Sequence, residues 1–437
     1  MSLWRTILMA VNLVGVRLVG AAIGLASQIL LARLLSQHDV GVVFLGMSAA
    51  AFISLLITGG YPILAITCLP RYYALGRKNL VRAFHAAFLQ DSLWISLVSF
   101  ALAAVAYFWL PLNDGLKIAL LFGCLSAPAA AFIRMNGEIA NSVRRYALSY
   151  VLDFLYRPGL LLVYLVFAWG LGLHLSIAHV LWAFVIMNTI VALVQAWLIG
   201  EDGARSGLKW SGRHNLAPVL RSRAAALVIV GVVTASFADV VTLIAGFFLN
   251  TADVALVGVT IRLAALAGFF TQAAQQFILP DLTIAMTRGT SQQVHALLLR
   301  INLIALAAIL ACVAGAILLG PWALRIFGSG YEAGHWPLVL FMISQAFRAA
   351  SSMNQHLLSL AGYQIKTAGS CLVAMAVLVG GSALFTPSHG VMGLAYAVLI
   401  ADAVWAGLLA LQTQRLTGRR GDIIGVLLDR NSLKLRP

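Results

Sequence analysis

The chain has 437 residues, of which 62% are apolar and only 10% charged, with a formal net charge of +15 and a mean hydropathy of +0.95. Soluble globular domains run near 45–50% apolar and about 25% charged, so that class is excluded. Apolar runs of about 20 residues cross a bilayer, and such runs fill this sequence, which predicts an all-α integral membrane protein.

Twelve spans are predicted, with short linkers between most of them. Span one, 7–32, is too long for a signal peptide and contains Arg17. Span two, 41–69, has Gly59-Gly60-Tyr61-Pro62 at its middle. Proline removes a backbone bond and the glycines soften the helix, so Gly59, Gly60 and Pro62 mark a hinge or an ordinary kink. Spans three and four cover 87–110 and 117–140, and span four carries Arg134 and Glu138 four residues apart. Span five, 147–172, carries Asp153 and Arg157 at the same spacing, with Pro158 next. Such pairs share a helix face and can neutralise each other. The other reading is that Arg157 presents its guanidinium to a cavity.

Span six is 176–199 and leads into a basic linker. Span seven, 224–249, holds Asp239, and span eight, 254–279, holds Arg262 with Gln272, Gln275 and Gln276. Span nine is 301–325. Span ten, 337–361, carries a stripe of Ser344, Gln345, Arg348, Ser351, Ser352 and Gln355, whose steps of three and four put most of them on one face. Span eleven is 367–386, and span twelve, 390–413, holds Asp402. In the tail, Gly421–Leu435 mixes apolar residues with Arg430 and Lys434, as a short helix on the inner leaflet would. A frayed tail is the alternative.

With the N-terminus in the cytoplasm, 21 of the 29 Lys and Arg residues fall on the cytoplasmic side, 3 on the other, and five within spans. That asymmetry sets an N-in, C-in orientation and accounts for the basic charge without nucleic acid. The organisation expected is a bundle at 1–200, a basic cytoplasmic linker at 201–223, a second bundle at 224–413 and a basic tail at 414–437. The segment at 30–46 is matched by that at 244–260, with Asp39-Val40 opposite Asp253-Val254. Six spans per half give parallel repeats about an axis along the membrane normal, hence two six-helix bundles with pseudo-two-fold symmetry.

A charge at mid-membrane costs about 2.5–3.5 kcal/mol on insertion scales, so Arg17, Arg134, Arg157, Arg262 and Arg348 need a reason to be there. Arg17, Arg262 and Arg348 have no carboxylate at helical spacing on their own spans; Asp239 and Asp402 are the candidate partners. Arginine's planar fork of donors suits phosphate oxygens. An anionic, phosphate-bearing head group is therefore one natural guest, and Arg–Asp bridges between helices are the other explanation. Asp239 and Asp402 could instead bind a coupling proton or cation. Gln272, Gln275, Gln276, Ser344, Gln345 and Gln355 would serve the sugars of such a guest, or act as polar glue between helices.

The sequence contains no GxxxxGK[ST] loop, so ATP is not the expected energy source. Cys68, Cys124, Cys312 and Cys371 are far apart, and the nine histidines are scattered. No metal site, cofactor or catalytic constellation is expected, which argues against an enzyme.

The segments LLARLLSQHDVG (30–41), IFGSGYEAG (326–334), LLSLAGYQIK (357–366) and FTPSHGVMGLAYAVLIAD (385–402) together resemble the polysaccharide transporter (Wzx-type) branch of the multidrug/oligosaccharidyl-lipid/polysaccharide (MOP) exporter superfamily. The resemblance implies a MATE-like V-shaped cleft between two six-helix bundles. It also implies flipping of a polyprenyl-diphosphate-linked oligosaccharide from the inner to the outer leaflet, as a precursor of O-antigen, exopolysaccharide or capsule. Basic residues in the cavity, including the first helix, engage the diphosphate in that family, and Arg17 matches by span and depth. The expected setting is a bacterial inner membrane, with membrane lipids, a glycan polymerase and export machinery as partners. The competing function is a MATE-like, cation-coupled drug or metabolite antiporter.

Overall fold

A computed structural model of the chain describes residues 3–200, 236–268, 291–361, 363–418 and 420–428, with 218, 221, 227–229 and 231–232 in between. Every regular element among the described residues is helical, and nine helices are long and apolar enough to cross a membrane. They fall into two compact units, Met1–Ala255 and Leu256–Pro437.

The first unit contains α1 (Leu3–Leu34), α2 (Gln37–Thr58), α3 (Tyr61–Ala74), α4 (Lys78–Trp109) and α5 (Asp114–Ser142). After these come α6 (Tyr146–Val151), a π turn (Leu152–Tyr156), α7 (Arg157–Gly170), α8 (Ile177–Ile199) and α9 (Phe237–Phe248). Helix α2 is apolar all round and is accordingly the buried centre of the unit, packed chiefly on α5. Phe44, Leu45 and Ile57 from α2 and Ile133 and Met135 from α5 are fully enclosed. By contrast α4 leaves Trp94, Leu97, Phe108 and Trp109 exposed, the outer face of a helix whose solvent is hydrocarbon.

Span two is not one helix. Gly59 (φ 54°) and Gly60 (φ 82°) both adopt left-handed backbone, which ends α2 and starts α3 on a new axis. Pro62 lies in the first turn of α3, where its missing N–H is not needed. Helix α3 then runs through Pro70 to Ala74, so that proline does not close the span as its position in the sequence suggests. An exposed proline late in a helix forfeits only one backbone bond, and here the helix carries on for a further turn.

The matched segments at 30–46 and 244–260 prove to be two helix starts of one design. The Ser36 hydroxyl accepts from the Asp39 N–H at 3.2 Å. The Asn250 side-chain oxygen accepts from the Asp253 N–H at 2.8 Å, in front of a helix α10 (Thr251–Gly268). Each cap therefore sets an aspartate in the first turn, where the helix dipole favours it. The two starts also touch: Gln37 donates to the Ala252 carbonyl at 3.3 Å, and Gly41 meets the Thr251 backbone so closely that a Cβ would lie 1.8 Å from its oxygen.

The second unit continues α10 and adds α11 (Ser291–Arg325), a 3-10 turn (Ser329–Gly334), α12 (His335–Leu360), α13 (Gln364–Thr417) and α14 (Ile423–Leu428). Spans eleven and twelve form the two arms of α13, which reverse at Gly390 (φ 55°, ψ −133°). Gly393 abuts the Phe385 carbonyl and Gly381 abuts Ala397, so the arms run antiparallel. In the turn before α12, Glu332 accepts from Arg325 Nε at 2.7 Å, and that bond holds the Glu332 carboxyl below its usual range. The tail helix α14 buries Val426 against Val294, Leu298, Ile301 and Met353. The backbone of Gly421 just before it is held by Asn302 and Asn354 at 2.7 Å each.

Candidate functional site

One group of intramembrane charges stands out in each unit. In the first, the local cause is Pro158. Having no N–H, it cannot bond the Phe154 carbonyl four residues back, and the chain widens instead into a π turn in which the Arg157 N–H reaches Leu152 O. The carbonyl left over at Phe154 faces α1 at Gly20, where a Cβ would stand 2.2 Å from the oxygen. Only a glycine Cα can come that near, in the geometry of a weak C–H···O contact. Along the same face of α1, Gly24 lies against Pro158, and Ser27 donates to Ile23 O at 2.8 Å and Pro158 O at 3.2 Å.

Arg17, one turn before Gly20, is thereby laid over the rings of Tyr150 (5.0 Å) and Phe154 (5.5 Å), which stack on each other at 6.0 Å. Arg157 bonds Asp153 at 3.3 Å and lies 5.9 Å from the Phe184 ring. Arg134 of α5 is within electrostatic range of Asp153, Arg157, Asp239 and Glu138, while Glu138 in turn senses Arg17. Asn141 donates to Glu138 at 2.8 Å. Three arginines and three carboxylates from α1, α5, α7, α9 and the π turn thus share one neighbourhood. Sequence spacing finds the ion pair Asp153–Arg157 and puts Arg134 near Glu138, but not their merger, which depends on α1 and α9 arriving from far along the chain.

In the second unit, Arg348 on α12 donates to Asp402 on the second arm of α13 at 3.1 Å and lies 5.2 Å from the Trp405 ring. Asp402 is 1% exposed. Arg348 therefore has its carboxylate, the bridging arrangement that the sequence leaves open. Arg262 donates to the Gly258 carbonyl, one turn back on α10, at 3.3 Å. The hydroxyls of the α12 stripe bond their own helix, Ser344 to Phe341 O, Ser351 to Arg348 O and Ser352 to Ala349 O, and Ser344 also lies within hydrogen-bond reach of Asp402. Gln345 approaches Gly268, and Gln355 is half-buried on α12. Gln272, Gln275 and Gln276 lie outside the described residues.

Four aromatic residues beside the arginines, Tyr150, Phe154, Phe184 and Trp405, have no sequence signature, since an aromatic in an apolar run is ordinary. Asp91 escapes for another reason. It sits four residues inside a span between Gln90 and Ser92, near the span's end, with no basic residue on its own helix face to draw attention to it. Among the described residues no group of three or more His, Cys, Asp and Glu side chains could hold a metal ion.

No protein-family model matches the chain, and no curated protein matches it either. Solved structures do. The lipid II flippase MurJ in an inward closed conformation has a TM-score of 0.70 at 14% identity, over 92% of this chain and 87% of that one. An inward-facing multidrug resistance MATE family transporter of the MOP superfamily has a TM-score of 0.66 at 16% identity, over 93% and 98%. A MOP superfamily transporter from Pyrococcus furiosus, described by a binding pocket of reversed polarity, has a TM-score of 0.55 at 16% identity, over 94% and 96%. At these identities the likeness concerns the fold: a multi-pass, all-helical membrane protein built like the transporters of the MOP superfamily.

Proposed function

We propose that the chain is a flippase that moves polyprenyl-diphosphate-linked oligosaccharide repeat units from the cytoplasmic to the outer leaflet of a bacterial inner membrane. Twelve spans, N-in and C-in, with six on each side of the 201–223 linker, would rock about the fixed cationic residues. The observation that carries this reading is the convergence of Arg17, Arg134 and Arg157 from three helices of one unit. Like charges in a low-dielectric setting repel unless anions are interposed. Here carboxylates are interposed, and a diphosphate can take their place by accepting bidentate bonds from the guanidinium edges. Rings stacked on Arg17 and Arg348 cover a face of each guanidinium and leave its edge for hydrogen bonds, which Arg348 makes with Asp402 between cargoes.

In this reading Arg17, Arg157, Arg262 and Arg348 bind the diphosphate, and Gln272, Gln275, Gln276, Gln345 and Gln355 serve the sugars, with Ser344 buried on α12. Asp239 and Asp402 hold the arginines between cargoes and couple their release to a proton or cation. The break at Gly59, Gly60 and Pro62 supplies bending. Glycan polymerase and export proteins would take the product onward.

One observation favours a second reading, the cation-coupled antiporter. The charges of the cluster in the first unit balance, three against three, rather than leaving the cationic excess that an anionic cargo would prefer. Lipids from a strain lacking the gene separate the two readings. Polyprenyl-diphosphate oligosaccharides are expected to accumulate, to clear when the wild-type gene is restored, and to persist with Arg17→Ala or Arg348→Ala. No accumulation in a strain without a redundant flippase would favour the antiporter.

A further inference from the structure

The break in span two and the basic linker after span six have no connection in the sequence, yet one buried carboxylate joins them. Asp91 on α4 is 7% exposed and accepts from the Tyr61 hydroxyl at 2.7 Å. Arg221, from the linker, donates through Nε to both Asp91 oxygens at 2.9 Å and through Nη2 as well. Tyr61 is the first residue of α3, directly after Gly60. Its ring is only 2% exposed and stands edge-on to Phe84 and Phe88, at 5.6 Å from each. Leu64, Leu69, Val81, Met135 and Ile139 complete the apolar cluster around it.

The arrangement is asymmetric. The Arg221 side chain is 53% exposed and the Asp91 side chain 8%. The arginine can withdraw into water, whereas the carboxylate cannot follow it. A carboxylate buried to this degree, bonded to a tyrosine that is itself packed between Phe84 and Phe88, is tolerated only with a counter-charge and its hydrogen bonds in place. We propose that Tyr61, Asp91 and Arg221 form a latch that fixes the bend at Gly59–Gly60 only while the linker's Arg221 is engaged. Withdrawal of Arg221 leaves Tyr61 as the sole donor to Asp91 within the trio. The first turn of α3 then loses the anchor that sets its direction, and the glycine pair is free to re-bend. Nothing in this depends on which cargo is carried.

Hydrogen exchange of the full-length chain in lipid nanodiscs tests the latch, because it reads local opening segment by segment. Tyr61→Phe removes one hydroxyl, and Arg221→Gln acts from the exposed side, so both should fold even where Asp91→Asn does not. Each is expected to speed exchange in the first turns of α3 by about tenfold, as loss of a hydrogen bond to a charged group would. Exchange in α12 should stay unchanged. The double variant should exceed the larger single by little, since both act on one carboxylate. Unchanged exchange in α3 would overturn the proposal. So would an equal rise in α12, which would make Asp91 a general stabiliser, or full additivity in the double variant.

Discussion

Replacing Asp402 with alanine is expected to destabilise the second unit more than any other single change to a polar group. The carboxylate is 1% exposed and pairs with Arg348, whose own side chain is 16% exposed. Without Asp402, the Arg348 guanidinium remains enclosed between α12 and α13, over the Trp405 ring, and has lost the carboxylate it bonds. Removing one partner of a buried pair costs about 3–5 kcal/mol, whereas replacing both by apolar groups of similar size is often nearly neutral. Arg348→Leu with Asp402→Leu should therefore recover most of the stability lost by Asp402→Ala. Unfolding midpoints of the detergent-solubilised chain provide the check. The same double variant should still fail to transport if Arg348 binds the cargo. Recovery of both stability and transport would reduce the pair to structural glue.

Gly20→Val tests the other charged site through its backbone rather than its charges. A Cβ at this position would stand 2.2 Å from the Phe154 carbonyl oxygen and 2.9 Å from its carbon. Backbone cannot yield as a side-chain tip can, so α1 must lift away from the π turn. Forced overpacking of this kind costs about 1–3 kcal/mol, occasionally more. The lift also draws Arg17 off Tyr150 and Phe154, one turn away on the same face. Transport should fall to the level of Arg17→Ala although no charge has changed. Gly15→Val is the control: among the described residues nothing lies within 4 Å of its Cβ position, and it should behave as wild type. Equal effects at both glycines would contradict the packing described here.

Much of this was legible in the sequence because the bilayer imposes it. Helix is the only way for an isolated apolar segment to satisfy its backbone in hydrocarbon, so hydropathy locates the spans. The capping pattern Ser36-x-x-Asp39 and its counterpart Asn250-x-x-Asp253 were visible as matched aspartates, and the structure supplies the cause. Local spacing found Asp153–Arg157, whose partners are four residues apart. It could name Asp402 only as one candidate for Arg348, because partners 54 residues apart meet through the turn of α13. The π turn was hidden although Pro158 was in view, since a proline in a helix can equally produce a kink. Asp91 and Tyr61 were missed because their meaning lies in Arg221, which is 130 residues from Asp91.

The most direct test of the account is leaflet exchange in purified vesicles. The chain is reconstituted with a fluorescent short-chain polyprenyl-diphosphate oligosaccharide, and a membrane-impermeant reductant bleaches only the outer leaflet. A flippase predicts that the protected inner pool becomes accessible with wild type, and stays protected with Arg17→Ala and Arg348→Ala. A pool that remains protected with wild type, in vesicles that do exchange a cationic dye for protons, would contradict the account.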